Sequence, residues 1–282
     1  MNKWIEATRP KTILIGAAPV ILGGAIAQSL GSFHALLFIA TLFCVLSIQI
    51  GANLANDFFD AKQGVDTKKR RGPMRAVASG LIQKAAMARA IFATFCVSTI
   101  FGSYLIYQGG MLFGLLLALS IALAVFYTAG SHSLARLGLG DLITLLFFGP
   151  IAVGGTIFLQ TRNLYFPGIW IGFVPGLYSA AILNRNNIRD MDGDREAGRK
   201  TIPIRFGRDV AVHLFSFCIL AALILPIPYA LIVHKPLLIL SSAIFLIPTI
   251  QLLQEKDDRI AFFKTPPLEF GMCVTLALCH FL

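Results

Sequence analysis

Residues Asn53–Gly80 read NLANDFFDAKQGVDTKKRRGPMRAVASG. The stretch begins at the end of a long apolar run and drops at once into Asn56, Asp57 and Asp60. Five cations then crowd into residues 68–75: Lys68, Lys69, Arg70, Arg71 and Arg75. A second stretch, NRNNIRDMDGDREAGRKT at Asn184–Thr201, also closes an apolar run and also mixes amides, carboxylates and cations. Their surroundings set the fold class. Of 282 residues, 56% are hydrophobic and only 13% are charged, against about 25% charged in a soluble domain. A chain this apolar has no way to hide its surface from water. The expected fold is an all-α integral membrane protein.

A span needs about 20 mostly apolar residues. Nine runs qualify, at roughly 12–30, 34–55, 85–107, 110–130, 139–160, 164–184, 208–230, 235–254 and 266–282. The seventh contains Pro226 and Pro228, and the last is short. Pro19, Pro150, Pro175 and Pro248 fall inside runs, which predicts kinked helices around a central cavity. With nine spans, every Lys and Arg except Arg162 and Lys235 lies on the side that holds the N-terminus. Basic residues collect in cytoplasmic loops, so the N-terminus and both polar stretches are expected there. The net charge of +10 therefore suits lipid headgroups and an anionic substrate, with no nucleic-acid partner. The five cysteines all sit in apolar runs, without a CxxC pair, and read as buried thiols. The five histidines do not cluster.

Spans two and six each end in an Asn/Asp cluster followed by a basic loop. The chain thus reads as one transmembrane domain with two pseudo-symmetric halves, about 1–130 and 131–282. On a helix, Asn56 and Asp60 share a face, and Asn53 extends it. Asp190 and Asp194 repeat the spacing, with Asn187 before them. Two oxygen-rich faces suit a hard divalent cation, Mg²⁺ above all, which commonly binds a phosphate as well. Arg70, Arg71 and Arg75 after the first cluster, and Arg195, Arg199 and Lys200 after the second, can hold the phosphate charge. A calcium loop starting at Asp190 fails, because Arg195 and Thr201 stand where Gly and Glu are required.

NDFFD (56–60) and DMDGDREAG (190–198) resemble the two aspartate-rich motifs, NDxxD and DxxxDxxxG, of the intramembrane aromatic prenyltransferases, the UbiA superfamily. WIEATRPKT (4–12) resembles that family's N-terminal segment. RRGPMRAVASGLI, YTAGSHSLARLGLGDL (127–142) and FFGPIAVGGT (147–156) resemble the branch that prenylates 1,4-dihydroxy-2-naphthoate in menaquinone synthesis. The hydroxybenzoate branch commonly has an Asp where this chain has Gly64; the nearest here is Asp66.

The resemblance implies nine helices around a cavity open to lipid, in a multi-pass protein of the bacterial inner membrane with its site facing the cytoplasm. It implies a Mg²⁺-dependent transferase that joins a polyprenyl diphosphate to a dihydroxynaphthoate-like acceptor, releasing CO₂ and diphosphate and leaving a demethylmenaquinol. Carried over by residue, Asp60, Asp190 and Asp194 are the catalytic carboxylates. Asn56, Asp60, Asp190 and Asp194 hold the metal, and Asp57 is an additional ligand or supports one from behind. Arg9, Arg71, Arg75 and Lys200 hold the diphosphate. Asn53, Tyr127 and Asn187 are expected at the acceptor. Tyr127 either faces the cavity or anchors at the interface, and Asp141 is either functional or a helix-end residue reaching for water. Other acceptors, such as 4-hydroxybenzoate, homogentisate or another naphthoate, would use the same chemistry. A transporter is the rival of another class, but it would carry ionisable groups near mid-span rather than at one face.

Overall fold

A computed structural model describes residues 2–63, 75–130 and 133–282. The described residues are helical and contain no strand. A short helix, α1 (Lys3–Thr8), leads into the first long one, α2 (Pro10–Ser29). There follow α3 (Ala35–Gln63), α4 (Lys84–Gly109), α5 (Met111–Phe126), α6 (Gly140–Thr161) and α7 (Phe166–Arg189). The chain then forms α8 (Met191–Glu196), α9 (Arg208–Ile232), α10 (Pro236–Leu253) and α11 (Asp258–Cys279).

Among the described residues, seven helices are long and apolar enough to cross a membrane: α2, α3, α4, α6, α7, α9 and α10. They coincide with seven of the nine expected runs. The fourth run becomes α5, only 16 residues long. The ninth becomes α11, which begins at Asp258 rather than near 266 and carries Pro266, Pro267 and Glu269. Those residues lower its hydropathy, but they do not break it. Glu269 is wholly buried inside the bundle.

The molecule is apolar outside as well as in. Phe92, Ile100, Leu115, Phe217 and Ile247 are 64% to 73% exposed, a surface that only lipid would solvate. Polar side chains such as Ser98, Thr156, Ser241 and Thr249 are buried instead. One core holds Leu22 and Ile26 of α2, Val153 and Ile157 of α6, Tyr178 of α7, Phe215 and Ile219 of α9 and Met272 of α11.

Two features shape the cavity. First, α6 bends through a wide turn at Phe147–Ile151, where Gly149 leaves helical geometry (φ −113°, ψ −115°) ahead of Pro150. Proline has no N–H to give, so the turn opens there. Second, the bend lies directly on α7. A Cβ on Gly149 would stand 2.8 Å from the Gly172 carbonyl oxygen, and one on Gly176 would stand 2.3 Å from that of Leu145. Only glycine permits this contact. Meanwhile α3 is 29 residues long, about 43 Å at helical rise, and outruns an apolar layer of about 30 Å. Its last turns therefore carry Asn56, Asp57 and Asp60 beyond the apolar depth while remaining helical.

Candidate active site

A cavity of about 350 Å³ opens between the helices. Its lining on α3 runs from Thr41 to Asp60, about 28 Å along the helix. The far end is apolar, with Leu105, Phe113 and Leu159. The near end gathers Arg9, Asn53, Asn56, Asp60, Arg75, Tyr127, Asn187, Asp190 and Arg199. Thus the two polar stretches, far apart in sequence, meet at one mouth.

Asp60 stands at the centre, 1% exposed. Its Oδ2 accepts from Arg75 Nη2 at 2.9 Å, and its Oδ1 from Arg199 Nη2 at 2.5 Å. The same Arg199 donates through Nη1 to Asp194 Oδ1 at 2.8 Å. One guanidinium thereby bridges the two motifs. Burial pushes the Asp194 carboxyl up to about 6, and Arg199 only partly offsets this. Burial also works against the charge on Arg199, but Asp60 and Asp194 outweigh it and hold the guanidinium above its ordinary range. Buried ions of this kind persist only when paired.

The turn after the second motif explains why Arg199 faces inward. The Asp194 amide bonds to the Asp190 carbonyl at 2.9 Å, and the Arg199 amide to the Asp194 carbonyl at 2.9 Å. Asp190 and Asp194 therefore lie one helical turn apart. Arg199 lines the cavity while its neighbour Lys200 is exposed. Asp190 accepts from the adjacent Arg189 with both oxygens, at 2.8 Å and 2.7 Å. Arg189 also reaches Asn186 Oδ1 at 2.6 Å and lies over the Phe262 ring.

The other expected residues divide. Asn56 accepts from the Thr128 hydroxyl, which holds its side chain at the mouth. Asn53 donates to the Thr8 carbonyl oxygen and to Thr12 Oγ1, both at 2.9 Å. It thus pins the α1–α2 junction, where Arg9 takes up a left-handed conformation (φ 53°), uncommon for a non-glycine residue. Tyr127 and Asn187 line the cavity. Asp57 is placed elsewhere: its oxygens accept the Ala76 and Val77 amides at 2.8 Å and 3.0 Å. Its carboxylate caps the turn that carries Arg75 instead of entering the cavity. Lys200 is exposed, whereas its neighbour Arg199 lines the cavity. Arg71 and Asp66 lie outside the described residues. Thr128 and Arg189 had no signal in spacing or composition, since each acts only through a neighbour brought up by folding.

The donor chemistry bears on a metal. Asn56, Asp60, Asp190 and Asp194 offer oxygen alone, the preference of a hard cation. Among the described residues, no three His, Cys, Asp or Glu side chains stand close enough to hold a metal ion by themselves. The Arg199 guanidinium spans the gap between Asp60 and Asp194. The residues fit a bridging cation that binds together with an anionic ligand.

Residues 17–277 match the UbiA prenyltransferase family. The chain is 35% identical over 226 residues, 77% of this chain and 72% of the relative, to the 1,4-dihydroxy-2-naphthoate octaprenyltransferase of Escherichia coli (strain K12). It is 34% identical over 215 residues, 73% and 70% of the two chains, to the protein of the same name from Haemophilus influenzae. Among solved structures, it resembles a UbiA homolog from Archaeoglobus fulgidus bound to GPP and Mg²⁺. That match has a TM-score of 0.69 and 15% identity, and covers 98% of this chain and 100% of that one. An apo UbiA homolog from Aeropyrum pernix K1 gives 0.67 and 17%, covering 95% and 94%. At these identities the structures establish the shared fold.

Proposed function

The chain belongs to the UbiA prenyltransferase family, and from that premise we propose that it transfers a polyprenyl group from polyprenyl diphosphate to 1,4-dihydroxy-2-naphthoate. The ring loses its carboxylate, and the products are a demethylmenaquinol, CO₂ and diphosphate. The observation that carries the reading is the pair of buried carboxylates, Asp60 and Asp194, joined through Arg199 at the mouth of an otherwise apolar cavity. The names of the bacterial relatives support the naphthoate acceptor, and the A. fulgidus homolog with GPP and Mg²⁺ supports the donor and the metal. The one-sided Lys and Arg distribution supports a bacterial inner-membrane protein whose site faces the cytoplasm.

In this reading Asn56, Asp60, Asp190 and Asp194 would hold Mg²⁺. Bound there, the ion would supply positive charge to the departing diphosphate. Arg75 and Arg199, already paired with these carboxylates, add their positive charge beside the diphosphate oxygens. Arg9 stands at the same mouth and adds a third cation. The allylic C–O bond breaks, and its electron pair leaves with the diphosphate. The ring carbon that bears the carboxylate bonds to the allylic carbon. The carboxyl group then departs as CO₂ and returns its bonding pair to the ring, so no proton is gained or lost overall. The apolar wall formed by Ile143, Phe147, Phe148 and Leu183 keeps water from the allylic cation. The prenyl tail lies along the apolar length of the cavity.

The test is a turnover assay with purified protein in lipid, a labelled polyprenyl diphosphate and a panel of aromatic acceptors. Dihydroxynaphthoate should give a prenylated, decarboxylated product. EDTA should stop the reaction and added Mg²⁺ should restore it. A clear preference for 4-hydroxybenzoate would overturn the acceptor. Absence of product with every acceptor, from folded protein, would overturn the reaction itself.

A further inference from the structure

Asp141 has no part in the metal or diphosphate chemistry, yet it is buried near the mouth of the cavity. It lies in the first turn of α6 and is 9% exposed. Its Oδ1 has no hydrogen-bond partner among the described residues. A buried carboxylate oxygen left unpaired is costly. Such a group inside a membrane bundle calls for a function.

The nearest functional neighbour is Tyr127. Its ring lines the cavity beside Asp60 and Arg199. The hydroxyl is seated on the residue before Asp141: a Cβ on Gly140 would lie 3.0 Å from Tyr127 Oη and 3.1 Å from Cε2. Gly140 is therefore a seat that any side chain would fill. Asp141, Arg199, Asp194 and Asp60 are the charged groups around the phenol. A negative charge at Asp141 favours a Tyr127 O–H turned toward it, which leaves the oxygen's lone pairs for the cavity.

We infer that Tyr127 receives a ring hydroxyl of the aromatic acceptor as a hydrogen bond, and that Asp141 is the positioning residue that fixes the direction of that bond. The inference rests on the aromatic-acceptor reading above. A hydroxyl that donates to Tyr127 keeps more electron density on its own oxygen and passes it to the ring. The ring needs that density as it takes on positive charge during attack on the allylic carbon. A phenol free to turn would also present its proton and withdraw density instead. In an apolar enclosure such orientation is worth far more than in water.

The experiment is steady-state kinetics with the full chain in lipid, with dihydroxynaphthoate and a fixed polyprenyl diphosphate. Tyr127→Phe should lower kcat about 10- to 100-fold, with the KM for polyprenyl diphosphate unchanged within about twofold. Asp141→Asn should lose about tenfold, and Asp141→Glu should recover part of it. The double variant should be no worse than Tyr127→Phe, because the two residues act on one bond. Multiplied losses in the double variant, or a rise in the polyprenyl diphosphate KM in place of a fall in kcat, would overturn the inference. Should Asp141→Asn fail to fold, Gly140→Ala carries the test. It leaves both polar groups in place and unseats the ring, so it should match Tyr127→Phe; full activity in it would also overturn the inference. Wild-type protein inactive on every aromatic acceptor defeats the functional reading, whereas active wild type with fully active variants defeats this inference alone.

Discussion

Asp60→Asn and Asp194→Asn each cost prenyl transfer at least about a thousandfold in kcat, while the protein still inserts and folds. The size follows from what each carboxylate does. Asp60 faces Arg75 and Arg199 together, and Asp194 faces Arg199. Removing one negative charge leaves a guanidinium under-paired in a buried setting, at a local cost of about 3–5 kcal/mol. It also removes one of the oxygen anions proposed to hold the metal against the departing diphosphate. Loss of one group that stabilises transition-state charge costs about 10² to 10³ in rate, and a weakened metal site adds to that. The measurement is turnover at saturating levels of both substrates, beside thermal unfolding and size exclusion in the same detergent. Activity within tenfold of wild type in either variant would sink the two-motif site.

Arg199→Ala lowers kcat/KM for polyprenyl diphosphate about 100- to 1,000-fold, whereas Lys200→Ala stays within about threefold of wild type. The contrast tests placement, since the two residues are adjacent cations at the end of one motif. Arg199 reaches both Asp60 and Asp194; Lys200 is exposed. A lone exposed charge contributes about 1 kcal/mol or less, and a buried bidentate arginine contributes several times that. Arg199→Lys should recover only a minor part, because an ammonium cannot span two carboxylates in the same plane. If Lys200→Ala proved the more damaging change, the turn after Asp194 would have to be arranged differently with substrate bound.

Hydropathy located the helices because lipid imposes one requirement along a whole span. It did less well at α11, whose true start carries Lys264, Pro266 and Pro267. There the apolar average fails although the helix runs on. The spacing of Asn56 and Asp60, and of Asp190 and Asp194, already carried their shared faces, since helical geometry is local. What spacing cannot carry is the direction of a side chain at a helix end. Asp57 turns to cap the Ala76 and Val77 amides because a distant turn packs there. Arg199 rather than Lys200 points inward because the backbone returns on Asp194. Thr128 meets Asn56 only after α5 has come alongside α3. Each of these depends on partners supplied by the fold, and none changes the composition of the segment that holds it.

The glycine contact between α6 and α7 has a mechanical consequence. Where Gly149, Gly172 and Gly176 meet, backbone rests on backbone with no clearance, so this side of the cavity is a stiff seam. Helix α5 also lines the cavity and buries only Phe113, although its Leu117 packs closely on Gly102 of α4, so it has less packing to give up than α7. A long, branched prenyl tail needs room that varies as it slides in and as product slides out. With one buried side chain, α5 costs less to displace than α7, and the seam is the fixed side. Faster amide exchange along Met111–Phe126 than along Phe166–Arg189 is the sign to look for, and equal protection of the two would argue for a rigid wall on both sides. A barrel with one welded joint and one loose stave can admit a thick guest without losing its shape.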